Sequence, residues 1–555
     1  MAANGGRDVT TAVDILVVGA GTTGLSLALQ AHDHGARIRV VERRPEPFRP
    51  SRALILHPRT LEVLRPLGVT DALLERADTA PTVRLHLGSH VVETGLADLA
   101  LPDTAFPHLS LLRQTDVETV LTGALADRGV TVERGTELIA VRDDGDSAVA
   151  LLRSPHGIEE VRCPFVVGCD GPASTVRSCA GIGWRSRPYA EEVVLADLDL
   201  GGTSARADDA RVFAGRQGLL FLFPLGERAT WRLLATRTSA GRAGRHVGQP
   251  GTAVPEAELQ RLLNDAGVEA RITRLAWSAG VSLQCGLARR FRRGRLFLAG
   301  DAAHNYSPAT GQGMNAGIQD AVNLGWKLGF AAGRAGSGPA DGLHVDVLLD
   351  SYDRERRAAA HPRLILTHTV FWAEASTGRL PSWLRAVAAP LAAPAIPALL
   401  HRRRLVAEAV RVLSQLRAHY RHSPLSVEGT PPLRGAPRPG DRLPDAAVSL
   451  GGPAERLHGL LARPGVHLLL QRDAAPPPDT VAGPRVTVLR LMNSPGRGLV
   501  AVRPDGHVGY RCGAADPEGL TGWLSLIGAA ASAPARPGRP GDGAPPPPPW
   551  DSRWP

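Results

Sequence analysis

The sequence predicts an α/β fold: a nucleotide-binding βαβ domain interrupted by an inserted, mostly antiparallel sheet and followed by a small C-terminal α/β domain. Three observations predict it. A short apolar run, Asp14-Ile-Leu-Val-Val-Gly-Ala-Gly21, ends in glycines and leads into an amphipathic segment from Leu25 to His34. Between about Val193 and Val281 alternating apolar runs take over. A linker rich in Pro and Gly, Glu428 to Gly440, then precedes fresh strand-like runs. A chain of 555 residues exceeds what one core usually serves, so two or three domains are expected.

The first element reads as strand, tight turn, helix, and Ala36-Arg-Ile-Arg-Val-Val-Glu42 completes the βαβ unit with a strand closed by an acid. Its turn, Gly19-Ala-Gly-Thr-Thr-Gly24, is a GxGxxG. Gly19 permits the turn, Gly21 lets a pyrophosphate approach the backbone, and Gly24 allows close helix-strand packing, while the helix N-terminus supplies amides and positive potential. Glu42 can accept hydrogen bonds from ribose hydroxyls. The nucleotide itself stays open at this point.

In the inserted sheet, Leu219-Leu-Phe-Leu-Phe-Pro-Leu and Ala229-Thr-Trp-Arg-Leu-Leu-Ala flank a Gly-Glu-Arg turn. Alternation puts Phe221 and Phe223 on one face, with Trp231 on the next strand, so these three are candidates for a substrate wall or for plain sheet core. Helical pattern runs from Gly317 to about Leu416. Beyond the linker, Gly465-Val-His-Leu-Leu-Leu-Gln and Arg485-Val-Thr-Val-Leu-Arg-Leu read as strands. The expected boundaries are 12–185 and 282–365 for a discontinuous nucleotide domain, 186–281 for the sheet, 366–427 for a helical segment, 428–530 for the C-terminal domain and 531–555 for a disordered tail.

Composition narrows the function classes. The formal charge of +10 comes from arginine spread along the chain rather than from one patch. Its densest run, Arg289 to Arg295, reads as a solvated loop or as an electropositive rim for an anionic cofactor, so no nucleic-acid partner is expected. Five cysteines without a CxxC pair or metal-ligand spacing fit a reduced cytoplasmic protein with no metal. The N-terminus lacks the apolar core of a signal peptide. Leu384 to Leu400 contains Arg385 and three prolines and falls short of a bilayer span, so a soluble protein with no membrane partner is expected.

Gly300-Asp-Ala-Ala-His-Asn-Tyr-Ser-Pro308, followed by Gly311-Gln-Gly-Met-Asn315, resembles the second FAD fingerprint of class A flavoprotein monooxygenases. Cys169-Asp-Gly171 with Ser174 and Arg177 resembles their DG motif, Arg113-Gln114 the start of a helix passing the flavin, and Ser51-Arg52-Ala53 a further motif. Together with Gly19 to Gly24 these span Asp14 to about Leu328. The resemblance implies a Rossmann-like FAD-binding domain of the glutathione-reductase and p-hydroxybenzoate-hydroxylase type. Arg438 to Asp445 and Val502 to Arg511 look like the thioredoxin-like domain appended in phenol and aromatic polyketide hydroxylases, here with Cys512 alone and no dithiol role. Thr22, where the family often has proline, and Pro172-Ala173 after the DG pair depart from the pattern; the second bears on nucleotide contacts near Asp170.

Carried over to these positions, the resemblance makes Gly19, Gly21, Gly24, Glu42, Arg52, Arg113, Gln114, Asp170, Asp301, Pro308, Gly311, Gly313, Met314 and Asn315 cofactor-binding. Asp301 is read as the acceptor for the ribityl chain, a role compatible with capping a helix. Gly311 to Asn315 begin a helix whose amides would face the flavin edge that gains negative charge on reduction. NADPH or NADH would reduce FAD, and O2 would add to give a C4a-hydroperoxyflavin that delivers one oxygen atom to a small aromatic substrate, phenolic or polyketide. No side-chain nucleophile is required, and no acid-base residue is placed. Tyr306 is a candidate substrate contact; His304 is read as structural. Same-fold and other-class rivals are a Baeyer-Villiger type ring-opening oxygenase, an FAD-dependent dehydrogenase and a flavin-binding scaffold without turnover. A monomer or homodimer is expected.

Overall fold

The computed structural model describes residues 13–47, 55–202, 209–215, 218–225, 229–238, 251–307, 311–333, 339–376, 378–435, 437–478 and 483–530. Arg52, Pro308 and the tail expected at 531–555 lie outside them.

The first apolar run forms the strand Ile15–Val18, buried on both faces, as a central parallel strand must be. It sits in a six-stranded sheet, paired in parallel with Ile38–Glu42 on one side and Phe165–Gly168 on the other. Leu296–Leu298 continues the parallel order beside Phe165–Gly168, and Val132–Arg134 beside Ile38–Glu42. The loops that carry the glycine motif, the DG motif and Asp301 therefore all leave the C-terminal ends of adjacent parallel strands, where open α/β sheets place ligands. The helix Thr22–Asp33 buries Leu25, Leu27, Ala28, Leu29 and Ala31, which puts this helix in the core with the sheet. A second buried helix, Gln312–Ala332, packs beside it.

The inserted sheet has eight strands and is built on two long ones, Trp184–Gly201 and Arg271–Ala288, paired antiparallel. Trp231–Thr238, Gly218–Pro224 and Ala210–Gly215 follow in order. The hairpin Thr82–Leu87 and His90–Gly95 then extends the sheet through a parallel pairing with Ala210–Gly215. This corrects the expected boundaries: the sheet draws strands from residues assigned by sequence to the nucleotide domain, because edge pairing is non-local and leaves no mark on the hairpin itself. The expected break at residue 365 also falls inside one helix, Pro339–Ala375, which continues through Pro362.

After it, Arg379–Leu400 is 22 residues long and contains an 18-residue window of mean hydropathy 1.5, so by length and composition alone it could cross a membrane, contrary to the expectation that it falls short. Prolines 381, 390, 394 and 397 lie in a stretch divided into short helical pieces, and only 11% of its apolar window is buried.

The C-terminal unit is a five-stranded mixed sheet with the helix Pro517–Ile527. It is fastened to the rest by buried charges. Arg503 donates to both carboxylate oxygens of Glu355 at 2.7 and 2.8 Å, and Lys327 donates to the same carboxylate at 2.8 Å. Arg442 donates to Glu62 at 2.9 Å, and Asn323 to Asp505 at 2.8 Å.

Candidate functional site

One cleft of about 580 Å³ runs from the glycine loop to the inserted sheet. At its first end Gly19 has φ +104°, and a Cβ there would stand 2.4 Å from the carbonyl oxygen of Cys169. A Cβ on Gly24 would stand 1.9 Å from the Gly19 carbonyl oxygen. Neither position admits a side chain, which is the requirement of a backbone cradle. Gly19 and Gly21 line the cleft; Gly24 lies behind them as packing. Glu42 also lines it, and its carboxylate accepts from the amides of Ala20 and Arg44, each at 3.0 Å. Those bonds hold the carboxylate against the glycine turn while leaving lone pairs for hydroxyls.

Asp301 follows the strand Leu296–Leu298 in the single turn Gly300–Ala302 and lines the same cleft. Asp170, on the third loop, accepts from the amides of Thr175 and Val176 at 2.7 and 3.2 Å, and burial raises its pKa. Arg177 ties the two loops together. Its guanidinium donates to the carbonyls of Ala302 at 2.9 Å and Pro172 at 2.7 Å and stacks over Trp184 at 4.2 Å.

The helix Gln312–Ala332 starts at Gly311, in the left-handed region with φ +64°. Gly311, Gln312, Gly313 and Met314 line the cleft, so the partial positive charge of a 21-residue helix opens onto it. Asn315 turns its side chain away. It accepts from the His57 amide at 3.0 Å and the Thr60 hydroxyl at 2.6 Å, and donates to Ile55 and Gly311 carbonyls at 2.9 and 2.7 Å. Only its backbone is left for a cofactor.

Gln114 lines the cleft and donates to Glu118 at 2.8 Å. Arg113, at the start of the helix Gln114–Asp127, is not among the lining residues, and its guanidinium donates to Asp116 at 2.7 and 2.9 Å. Among the described residues no group of three His, Cys, Asp or Glu is placed to hold a metal ion.

The other end of the cleft is apolar. Phe221 and Phe223 share its wall, with ring centroids 6.0 Å apart and planes 5° from parallel. Val193, Leu195, Leu234 and Val281 extend that face, and Phe371 from the helix Pro339–Ala375 closes it. Trp231, expected with them, is fully buried elsewhere. Phe221 pairs with Leu234, so strand alternation sends Trp231, Leu233 and Ala235 to the opposite face, where they form a core that includes Leu259 and Leu263 of the helix Glu256–Asp265.

Tyr306 lines the cleft where its two ends meet. It is 5% exposed, and burial pushes its pKa up to about 12 against the opposing pull of the Arg363 guanidinium beside its hydroxyl. His304, 4.8 Å away ring to ring, is occupied: its Nε2 donates to Asp320 at 2.5 Å. Asp320 also accepts from the Gly300 amide at 3.0 Å and from Arg356 at 2.6 Å. Burial would raise the Asp320 pKa, but His304 and Arg356 hold it down at about 2. This clamp fixes the turn that carries Asp301. Sequence reasoning missed Asp320, although an acid in the middle of an apolar helix was a signal. It also missed Thr236 and Glu374, which line the apolar end and follow no motif.

The family model of the FAD binding domain matches residues 12–364. The 6-methylpretetramide 4-monooxygenase of Streptomyces rimosus is 34% identical over 425 residues, 74% of this chain and 71% of that one. An aromatic compound monooxygenase of Bacillus subtilis, YhjG, is 31% identical over 538 residues, 92% and 98% of the two chains. Among solved structures, the anhydrotetracycline hydroxylase OxyS from Streptomyces rimosus superposes with a TM-score of 0.72 at 29% identity, covering 94% of this chain and 100% of its own.

Proposed function

The chain belongs to the FAD binding domain family as an FAD-dependent aromatic monooxygenase, and from that premise we propose that it hydroxylates a polycyclic phenolic substrate of aromatic polyketide biosynthesis, with NADPH or NADH as electron donor. The observation that carries this reading is the single cleft. It begins in a glycine cradle and ends at a wall bearing two phenylalanines, so a dinucleotide and an aromatic ring would share one dry space. The residues fit FAD. Gly19 and Gly21 would take the pyrophosphate, Glu42 the adenosine ribose, Asp301 the ribityl hydroxyls, and the helix starting at Gln312 the flavin edge. Bound there, FAD would take a hydride from the nicotinamide and activate O2 for transfer of one oxygen atom.

The protein's own part is to bind, orient and exclude water. Phe221 and Phe223 supply flat apolar area against a ring, and Phe371 caps it from the helix side. The relatives act on 6-methylpretetramide and anhydrotetracycline by name, and a cavity of this size and lining suits a multi-ring phenol. The C-terminal unit is read as thioredoxin-like in fold, with Cys512 buried and no partner thiol beside it in sequence. The enzyme is placed in the cytoplasm, where NAD(P)H is available.

The test is to purify the yellow protein and follow NADPH and NADH oxidation with a panel of phenols and tetracyclic aromatics, with mass analysis of products. Expected are substrate-stimulated oxidation, oxygen consumption and a product heavier by one oxygen with its rings intact. Ring expansion or cleavage would replace hydroxylation by ring-opening oxygenation, and turnover without O2 on another acceptor would make it a dehydrogenase.

A further inference from the structure

The apolar end of the cleft contains one ionisable carboxyl group. Glu374 lines it one turn after Phe371 and beside Ala375, on the last turn of the helix Pro339–Ala375. Among the described residues nothing hydrogen-bonds or pairs with its carboxylate. Facing it across the cavity is the inserted sheet, where the Thr236 hydroxyl is buried and also without a partner. Gly218 lets the strand approach the main chain at the end of this helix. It has φ +144°, and a Cβ there would stand 2.1 Å from the Thr236 hydroxyl oxygen and 3.4 Å from the Glu374 carbonyl oxygen. Glu374 and Thr236, with Tyr306 beside the Arg363 guanidinium, are the polar groups at a pocket end otherwise walled by Phe, Leu and Val. Buried polar groups without partners are costly, and a pocket that retains two of them beside a tyrosine hydroxyl is complementary to a ligand bearing several oxygens.

We propose that the Glu374 carboxylate binds a hydroxyl of the aromatic substrate and takes up its proton as the ring is oxygenated, while Thr236 and Tyr306 meet the substrate's other oxygens. This rests on the hydroxylase reading. The substrate O–H bond breaks, an O–H bond forms to Glu374, and the electron pair stays on the ring oxygen, where it makes the ring electron-rich. The oxygen atom and the reducing electrons come from O2 and NAD(P)H as in the proposed reaction, and the proton returns to water when product leaves.

Burial pushes the Glu374 pKa up to about 7, which brings a carboxylate closer to a phenol in basicity than an exposed glutamate. Charged and titratable groups on the elements around it include Tyr189, Glu191, Glu192 and Cys285 on the two long strands, Arg237 next to Thr236, and Tyr306; Arg363 and His368 lie on its own helix, and the Arg385 guanidinium donates to the Ala373 and Ser376 carbonyls. None of these contributes to the shift, for which burial is the sole cause. The carboxylate is therefore charged above about pH 7 and neutral below it.

The test compares binding of 2-naphthol and 2-methoxynaphthalene to the FAD-loaded protein, by calorimetry and by perturbation of the flavin spectrum, from pH 5.5 to 8.5 (a range of about 1.5 units either side of the titration). The wild type is expected to prefer the naphthol by about tenfold or more above pH 7, as a charge-assisted hydrogen bond allows, and to lose that preference as pH falls. Glu374→Gln is expected to keep its FAD and bind both probes alike at every pH, and Glu374→Asp to keep a reduced, pH-dependent preference. A wild-type preference that ignores pH, or one that survives in Glu374→Gln, overturns the assignment. The wild-type arm needs no variant to fold. Loss of the preference in Glu374→Gln from a protein that never inserts oxygen would keep Glu374 as the phenol-binding group and remove the hydroxylase reading; normal hydroxylation with an unchanged preference would do the reverse.

Discussion

Asp301 and Phe221 line one cleft, and the proposed reaction gives them different ligands, so their substitutions should separate. Asp301→Ala removes a carboxylate acceptor for cofactor hydroxyls, a loss of about 1.5 to 3 kcal/mol, or roughly ten- to a hundredfold in affinity. Flavin absorbance per protein after gel filtration should fall, and intact FAD content would remove Asp301 from the site. Phe221→Ala instead deletes aromatic area from the proposed substrate wall. Its FAD content should stay at the wild-type level while kcat/KM for the aromatic substrate drops about tenfold or more, in line with the ~2 kcal/mol or more that a lost aromatic contact costs. Glycines 19, 21 and 24 were legible because a backbone rule dictates them at that spacing, the first two for the cradle and the third for packing. Glu374 and Thr236 were not, because they meet only after a strand and a helix more than a hundred residues apart in sequence have packed.

At the scale of elements, the clamp His304, Asp320 and Arg356 joins the turn bearing Asp301 to the helices Gln312–Ala332 and Pro339–Ala375. All three side chains are at most 1% exposed, so removing one charge strands another. Arg356→Met should cost about 3 to 5 kcal/mol in urea unfolding. The pH dependence follows from Asp320, whose folded pKa of about 2 lies below the ordinary 3.8. Its contribution is present above about pH 4 and is lost as pH falls through about 2, so the Arg356→Met deficit should shrink over that window. Equal deficits at pH 7 and pH 2.5 would remove Asp320 as the partner that matters. Trp231 marks the limit of pattern reading at this scale. Alternation told correctly that Phe221 and Phe223 share a face, but which face Trp231 takes depends on the register of two strands, and one residue of register reverses it.

At the scale of the whole molecule, the C-terminal unit is held by a buried ion cluster rather than by an apolar contact alone. Arg503 donates to Glu355, which lies on the same helix as Phe371 and Glu374. Arg503→Met leaves the Glu355 carboxylate buried with Lys327 as its remaining cation, and should cost about 3 to 5 kcal/mol. Limited proteolysis between residues 428 and 440 should then become faster, while an unchanged cleavage rate would show that the cluster does not fasten the unit. The three-part plan of the chain was visible in periodicity and in the Pro/Gly linker. The recruitment of the 82–95 hairpin into the inserted sheet was not, since a hairpin reads the same wherever its edge docks.

The two faces of the inserted sheet bear on how such an enzyme diversifies. Trp231, Leu233 and Ala235 hold the back against the helix Glu256–Asp265, whereas Phe221, Phe223 and Leu234 present the front to the cleft. Successive residues of one strand thus answer to different selective pressures, the back to folding and the front to whatever molecule is oxidised. The glycine turn proposed to hold the cofactor, built on another sheet from main-chain geometry, is insulated from both. A lineage could retune its chemistry toward new ring systems by exchanging alternate strand residues, without passing through a misfolded or flavin-free ancestor.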